Sequence, residues 1–323
     1  MRGLWRLLAL GSGIAIGIAF AVVLYAWYGP GPSAQSKTFT VEEGSSVAAV
    51  AGQLQKAGFI ASASRFKLGA RVMGSGDPVQ AGEFEIGKGA SGASILELLQ
   101  HGKPLQRLIT VTEGMPSIIV EEKLRENKFL TGPTPAIAEG SVLPDSYSYE
   151  RNESRASVVA RMQAAMTKTL DQLLKTTGGG CPVASREQVV TLASIVEKET
   201  GKASERPMVA GVYCNRLRIG MKLDADPTVI YPITKGKPLG RRIKRSELNA
   251  ITGYNTYREP GLPAGPIANP GKESIAAVLK PEKTNALYFV ADGTGGHVFA
   301  DTLQQHEANV QKWYALRRQR GEM

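Results

Sequence analysis

Cysteine is scarce in this 323-residue sequence: Cys181 and Cys214 are the only two. No CxxC spacing joins them, which sets aside a thiolate zinc site and a CxxC redox motif. Cys214, inside "VAGVYCNRL", reads as a small core residue and Cys181 as a loop thiol, with a disulfide the alternative open to an exported chain. Histidine is as rare, with three residues. Neither His297 nor His306 has cysteine or carboxylate spacing around it that resembles a metal set, so no metal or cofactor is expected. A GxxxxGK[ST] loop is missing, as is any recognisable RNA or DNA module, and nucleic acid is not expected as a partner despite a net charge of +10. That charge suits an anionic membrane surface or an anionic polymer, and its sign alone does not choose between them.

Charge itself is absent from Leu7 to about Tyr28, "LLALGSGIAIGIAFAVVLYAWY", behind Arg2 and Arg6. A span of roughly 20 apolar residues crosses a bilayer as a helix. Basic residues before it favour a cytoplasmic N-terminus, with Trp27 and Tyr28 at the far interface. A cleaved signal peptide would have a shorter apolar region and a small-x-small site; "VVLYAWYGP" offers no good one, and "YGPGPSAQS" is the alternative place for it. The expectation is an uncleaved anchor followed by a flexible exit, "GPGPSAQSK".

The length allows one large domain or two to three smaller ones. From Phe39 the pattern reads strand, helix, helix, strand and a Ser-capped helix, a small β-α-α-β unit over 36–105. "LQRLITVTEGMPSIIVEEKLRENKFL" repeats the strand, turn and helix theme and opens a connecting β/α segment, 106–150. The main boundary is expected near 145–155, where long helices begin to alternate with Pro/Gly-rich loops, leaving 151–323 as the largest domain and the fold class as α+β. Loops such as "YNTYREPGLPAGPIANPG" carry enough Tyr, Leu and Ile to be held around a site.

A helix from about Arg186 to Thr200 contains two carboxylates, Glu197 and Glu199. Residues two apart lie about 200° apart around a helix, so the pair should not share one cleft. Glu199 follows Ile195, Val196 and Leu192 at helical spacing, against the bulkier edge of the apolar stripe, and Glu197 stacks over Ala193 and Ser194. Apolar surroundings disfavour a carboxylate and raise its pKa, which is what a general acid needs, so geometry prefers Glu199. On this helix alone, both could equally be solvated end residues.

"LASIVEKETG", "NRLRIGMKLDADPTVIY", "YNTYREPGLPAGPIANPG" and "YFVADGTGGHVFA" occur in that order between Leu192 and Ala300. Together they resemble the YceG-like endolytic murein transglycosylases, membrane-anchored enzymes that cut glycan strands of bacterial peptidoglycan. The resemblance covers nearly the whole chain. It implies a LysM-like region after the anchor (36–105), a catalytic domain beyond it, and a catalytic acid in "EKET", mapped to Glu199. "EGSVLPDSYSY" departs from the family's usual "EGYLFPDTY", with Ser141 and Leu143 in place of two aromatics. Sugar stacking by that loop is therefore in doubt, while Asp145 and Tyr147 remain cleft-wall candidates.

The implied chemistry is lytic: one acid protonates the glycosidic oxygen, then removes the C6 hydroxyl proton as a 1,6-anhydro ring closes. Glu197, Asp226, Tyr254, Asn255 and Tyr257 are the expected substrate-binding residues, with the Asn255 amide offered to an N-acetyl group. Asp226 is also the partner a two-carboxylate hydrolase would need, with a helix cap before Pro227 as its plain role. His297 reads as a structural histidine, and Arg216 and Arg218 as a solvated helix face. The resemblance further implies peptidoglycan strands as substrate, the bacterial inner membrane as location with the catalytic domain periplasmic, and peptidoglycan synthases (penicillin-binding proteins) as neighbours. The alternative to an enzyme is an inactive cell-wall-binding scaffold.

Overall fold

The computed structural model describes residues 2–176 and 180–322, with the side chains of 2–12, 15 and 16 outside the description. It divides into two units, residues 1–107 and 108–323. The first contains α1 (Arg2–Tyr28), β1 (Lys37–Val41), α2 (Val47–Lys56), α3 (Ala63–Met73), β2 (Gly82–Ile86) and α4 (Gly92–His101). Serines 46, 62 and 91 start α2, α3 and α4 by accepting from the backbone N–H three residues on, which satisfies a donor the helix leaves open. β1 pairs antiparallel with β2, Lys37 opposite Ile86 and Val41 opposite Gly82. The alternation in "KTFTV" and "GEFEI" turns Phe39, Val41, Phe84 and Ile86 inward against Val50, Leu54, Ile95 and Leu99. The β-α-α-β order and the helix after it are those read from the sequence.

Among the described residues no helix is long and apolar enough to cross a membrane. The expected span begins at Leu7, and the side chains of 7–12, 15 and 16 lie outside the described residues.

The second unit continues through β3 (Arg107–Thr110), α5 (Ser117–Glu126), β4 (Ser146–Tyr149), α6 (Arg155–Thr176), α7 (Arg186–Glu199), a 3-10 turn (Ala203–Glu205), α8 (Arg206–Arg218), α9 (Asp226–Thr234), α10 (Arg245–Leu248), α11 (Lys272–Leu279), β5 (Tyr288–Ala291), β6 (His297–Ala300) and α12 (Leu303–Gln319). Of the break expected at "TGGGCPVASRE", residues 177–179 lie outside the described residues. No division falls at 145–155. β4 pairs with β3, and Val158, Val159 and Met162 of α6 share one core with Ile109, Val120 and Leu124. The same helix carries Met166 and Leu170 into a second core with α7, α8 and α11. A single helix spanning both cores welds segment 106–150 onto the rest.

Cys181 and Cys214 form a disulfide, correcting the reading of two free thiols. Cys181 lies against Cys214 of α8, with 4.9 Å between the Cα atoms. A sequence separation of 33 gives no hint of this. The bond closes a loop that contains all of α7. Loop-closure entropy at that separation is worth about 4 kcal/mol, so Cys181→Ser should lower the melting temperature by roughly 10 °C, read by calorimetry without reductant.

Candidate active site

α7 is buried throughout from Val189 to Val196, and its last turn carries the two glutamates. They leave the helix toward different partners. The Glu197 side chain is 4% exposed: its Oε1 accepts from Arg206 at 3.0 Å, and its Oε2 from the Gly271 N–H at 2.9 Å and the Ser274 hydroxyl at 2.7 Å. Arg206 also reaches Glu113 at 2.7 Å, so the group ties α7 and α8 to the β3–α5 loop and to the start of α11. Glu197, expected among the substrate contacts, has both oxygens committed to this brace.

Glu199 is half-buried and accepts a hydrogen bond from Tyr213 of α8. Burial pushes its carboxyl up to about 7, and the negative charge of Asp226 pushes the same way. The Tyr213 hydroxyl and the Arg216 guanidinium oppose the shift without cancelling it. Such a carboxyl keeps its proton in about half of the molecules at neutrality, where an ordinary glutamate has lost it, and can give it up to a basic oxygen brought against it.

Tyr213 is 1% exposed, its ring edge-on to Phe289 at 5.8 Å, and its phenol is held well above the usual range by burial and by the Glu199 charge. Arg216 is buried as well, not on a solvated face: it donates to the carbonyls of Leu287 and Leu223, both at 2.7 Å, and its guanidinium lies over the Tyr288 ring. Only Arg218 of that pair is exposed.

Asp226 is the first residue of α9, after the cap position Ala225, and no side chain caps this helix. The cap expected of Asp226 is therefore not made; instead it accepts from the Tyr257 hydroxyl at 2.7 Å. Thr256 fastens the two segments together, receiving the Ala225 N–H at 3.0 Å and meeting the Thr228 hydroxyl at 2.9 Å. Glu199, Tyr213, Asp226 and Tyr257 thus form one electrostatically connected group.

Asn255 and Tyr254 lie elsewhere. Asn255 is 1% exposed, and its amide donates to the carbonyls of Glu247, Leu248 and Ala250 while its oxygen accepts from the Tyr257 N–H. Buried and with its amide hydrogens committed, Asn255 offers no donor to an N-acetyl group in this structure. Tyr254 packs on Tyr231 at 4.9 Å between ring centres, and Tyr231 hydrogen-bonds Glu139, whose carboxyl burial holds above its ordinary value. Tyr147, a cleft-wall candidate, is instead core, its hydroxyl donating to Leu143. Asp145 is exposed and accepts from the Val111 N–H at the strand pair.

"GLPAGPIANPG" is fixed from below, as Ile267 donates to Ser194 at 3.0 Å and the buried Asn269 joins Val142, Met115 and Ser117. His297 keeps a structural place, its Nδ1 2.8 Å from Glu205. Among the described residues no cluster of His, Cys, Asp and Glu could hold a metal ion.

Activity that needs protonated Glu199 falls as pH rises through its pKa. Tyr213→Phe removes a donor that favours the carboxylate, so the alkaline limb of the pH–rate profile should move up. Asp226→Asn removes a neighbouring negative charge and should move it down. Opposite displacements from these two variants are the expected result; displacement in one direction by both would contradict the electrostatic account.

A family model described as the YceG-like family matches residues 39–312. The chain is 29% identical over 312 residues to an endolytic murein transglycosylase of Bacillus subtilis, covering 87% of this chain and 85% of that protein. It is 29% identical to one of Streptococcus pneumoniae, covering 84% of this chain, and spans 57% of that longer protein. A crystal structure of a yceG-like protein from Listeria monocytogenes superposes with a TM-score of 0.53 at 26% identity, covering 85% of this chain and 99% of the other.

Proposed function

This chain belongs to the YceG-like family, and from that premise we propose that it is an endolytic murein transglycosylase with Glu199 as its single catalytic acid. The observation that carries the proposal is the half-buried Glu199 carboxyl, pushed up to about 7. The names of the Bacillus and Streptococcus relatives support the reaction and its peptidoglycan substrate. In this reading Glu199 protonates the oxygen between N-acetylmuramic acid and N-acetylglucosamine. Its carboxylate, steadied by the Tyr213 hydroxyl, then takes the C6 hydroxyl proton as the 1,6-anhydro ring closes. One group serves as acid and then base, and no water is consumed.

Asp226 acts on Glu199 through its pKa, Tyr257 holds Asp226 in place, and both line the approach. The apolar stretch from Leu7 to about Tyr28, preceded by Arg2 and Arg6, anchors the chain in the inner membrane with the larger unit outside the cytoplasm. There the substrate is nascent strand, and peptidoglycan synthases are the neighbours. Unit 1 serves as a LysM-like contact to the wall.

Digestion of purified glycan strands by the full chain in detergent tests the reaction. Anhydro ends from both the native protein and Asp226→Asn, identified by mass spectrometry, are expected. Reducing ends that vanish in Asp226→Asn would instead make the pair a hydrolase, the second reading that the proximity of Asp226 to Glu199 favours. Strand binding without cleavage would leave a scaffold.

A further inference from the structure

The first unit has an apolar surface that its own core does not use. α3, "ASRFKLGARVM", buries Phe66 and Gly69 and turns Leu68 and Val72 outward, 64% and 69% exposed. Four residues apart, these two side chains lie one above the other on a single face of the helix. At about 100° per residue, Arg65 flanks that face on one side and Arg71 on the other, with Lys67 beyond Arg71. The helix has no acidic residue, and these three cations are exposed with no carboxylate partner among the described residues. Two bare aliphatic side chains framed by cations on stems long enough to reach past them is the pattern of a helix lying at a lipid–water boundary.

α1 extends this surface. Its Phe20, Val22, Val23 and Tyr25 are each more than half exposed. Between Phe20, Val22 and Val23 on one side and Leu68 and Val72 on the other runs an open groove of about 820 Å3, with Arg65 in its lining. The two helices are fixed to each other by the Trp27 ring, 4% exposed, which lies flat over α3: a Cβ at Gly69 would come within 2.2 Å of it. Gly69 is therefore the residue that allows α1 to close on α3, and the end of α1 cannot swing away from unit 1 without opening the core around Phe66, 5.7 Å from Trp27.

We infer that α3 is a second membrane contact: Leu68 and Val72 enter the outer leaflet beside α1, a phospholipid acyl chain fills the α1–α3 groove, and Arg65, Lys67 and Arg71 meet anionic headgroups. This rests on the anchor reading of α1 and goes beyond it, because an anchor joined by a free linker would let unit 1 stand off from the bilayer, whereas Trp27 locks α1 onto α3. The occupant is a lipid because the groove is continuous with the exposed apolar face of α1 and its rim has the sign opposite to a lipid phosphate.

The test uses the full chain reconstituted in phosphatidylcholine vesicles with and without phosphatidylglycerol. Single-cysteine variants Leu68→Cys, Val72→Cys, Ile18→Cys and Glu85→Cys are labelled with an environment-sensitive fluorophore; Cys181 and Cys214 are paired and do not react. Lipids brominated along the acyl chain should quench the probes at 68 and 72 several-fold more than the probe at Glu85, an exposed position on β2, and more strongly with phosphatidylglycerol present. Quenching at 68 and 72 no stronger than at 85, with the probe at 18 quenched, would overturn the inference and leave the anchor standing. An unquenched probe at 18 would remove the anchor reading and this inference with it. Quenching at 68 that ignores phosphatidylglycerol would overturn the headgroup assignment of the three cations.

Discussion

Glu199→Gln is expected to abolish glycan cleavage and, above neutral pH, to make the protein more stable. The loss follows from removing the proton donor whose pKa lies near neutrality; a positioned general acid is worth about 10²- to 10⁴-fold in rate. The gain follows from linkage. A carboxyl raised by burial from 4.5 to about 7 favours the folded state below its unfolded pKa, and that contribution is lost as pH rises through the folded value. The difference amounts to about 3 kcal/mol at pH 8, because a tenfold change in proton affinity between folded and unfolded chain is worth about 1.4 kcal/mol. A neutral amide of the same shape does not ionise and escapes that cost. Chemical denaturation at pH 5 and pH 8 reads the effect: the variant should match the native protein more closely at the lower pH and exceed it at the higher. Equal stability of the two proteins at both pH values would mean that Glu199 ionises as easily folded as unfolded.

Glu197→Gln, two residues away, is expected to do the opposite. Its carboxylate bridges Arg206, Gly271 and Ser274, and an amide in its place must turn an NH2 group toward at least one donor. Arg206, 8% exposed on its side chain, would then have Glu113, 44% exposed, as its one carboxylate partner among the described residues. Breaking one side of a buried, hydrogen-bonded pair costs about 3–5 kcal/mol, so unfolding midpoints should drop sharply. Activity per folded molecule, measured well below the melting point, should fall far less than in Glu199→Gln. Two neighbouring glutamates that separate stability from catalysis in this way would be hard to explain by any account in which both face the substrate.

The sequence contains the difference between these glutamates in its helical spacing. Glu199 follows Leu192, Ile195 and Val196, and Glu197 follows Ala193 and Ser194, so the two leave α7 on different sides. What the spacing cannot carry is the partner each one meets. Arg206, Glu113 and Ser274 reach Glu197 from across the unit, up to 84 residues away in the case of Glu113, a distance in sequence with no local signature. Tyr213 does have a signal of its own: a phenol in the middle of "VAGVYCNRL" needs a partner for its hydroxyl once the helix is buried, and Glu199 is that partner. Arg216 escapes a sequence reading for a related reason, since helical periodicity alone does not distinguish a cation facing water from one facing carbonyls.

The motif "YNTY" shows the same limit at finer scale. Its aromatic and amide character suggests a sugar-binding wall, yet only Tyr257 reaches the Glu199 group, through Asp226, while Asn255 closes the loop around α10. Element order is far more legible than element partners. The Ser-capped helices of unit 1 and the long α6 follow directly from pattern, whereas the fusion of 108–150 with the second unit depends on α6 serving two cores, which no local window contains.

The most direct measurement is a pH titration of the Glu199 side-chain carboxyl in the folded protein by carbon-detected NMR, assigned by comparison with Glu199→Gln. A midpoint near 7, moved up in Tyr213→Phe and down in Asp226→Asn, is the predicted result. A midpoint at the ordinary glutamate value, unmoved by either neighbour, would contradict the claim that burial raises this residue's pKa to near neutrality and makes it the acid of the site.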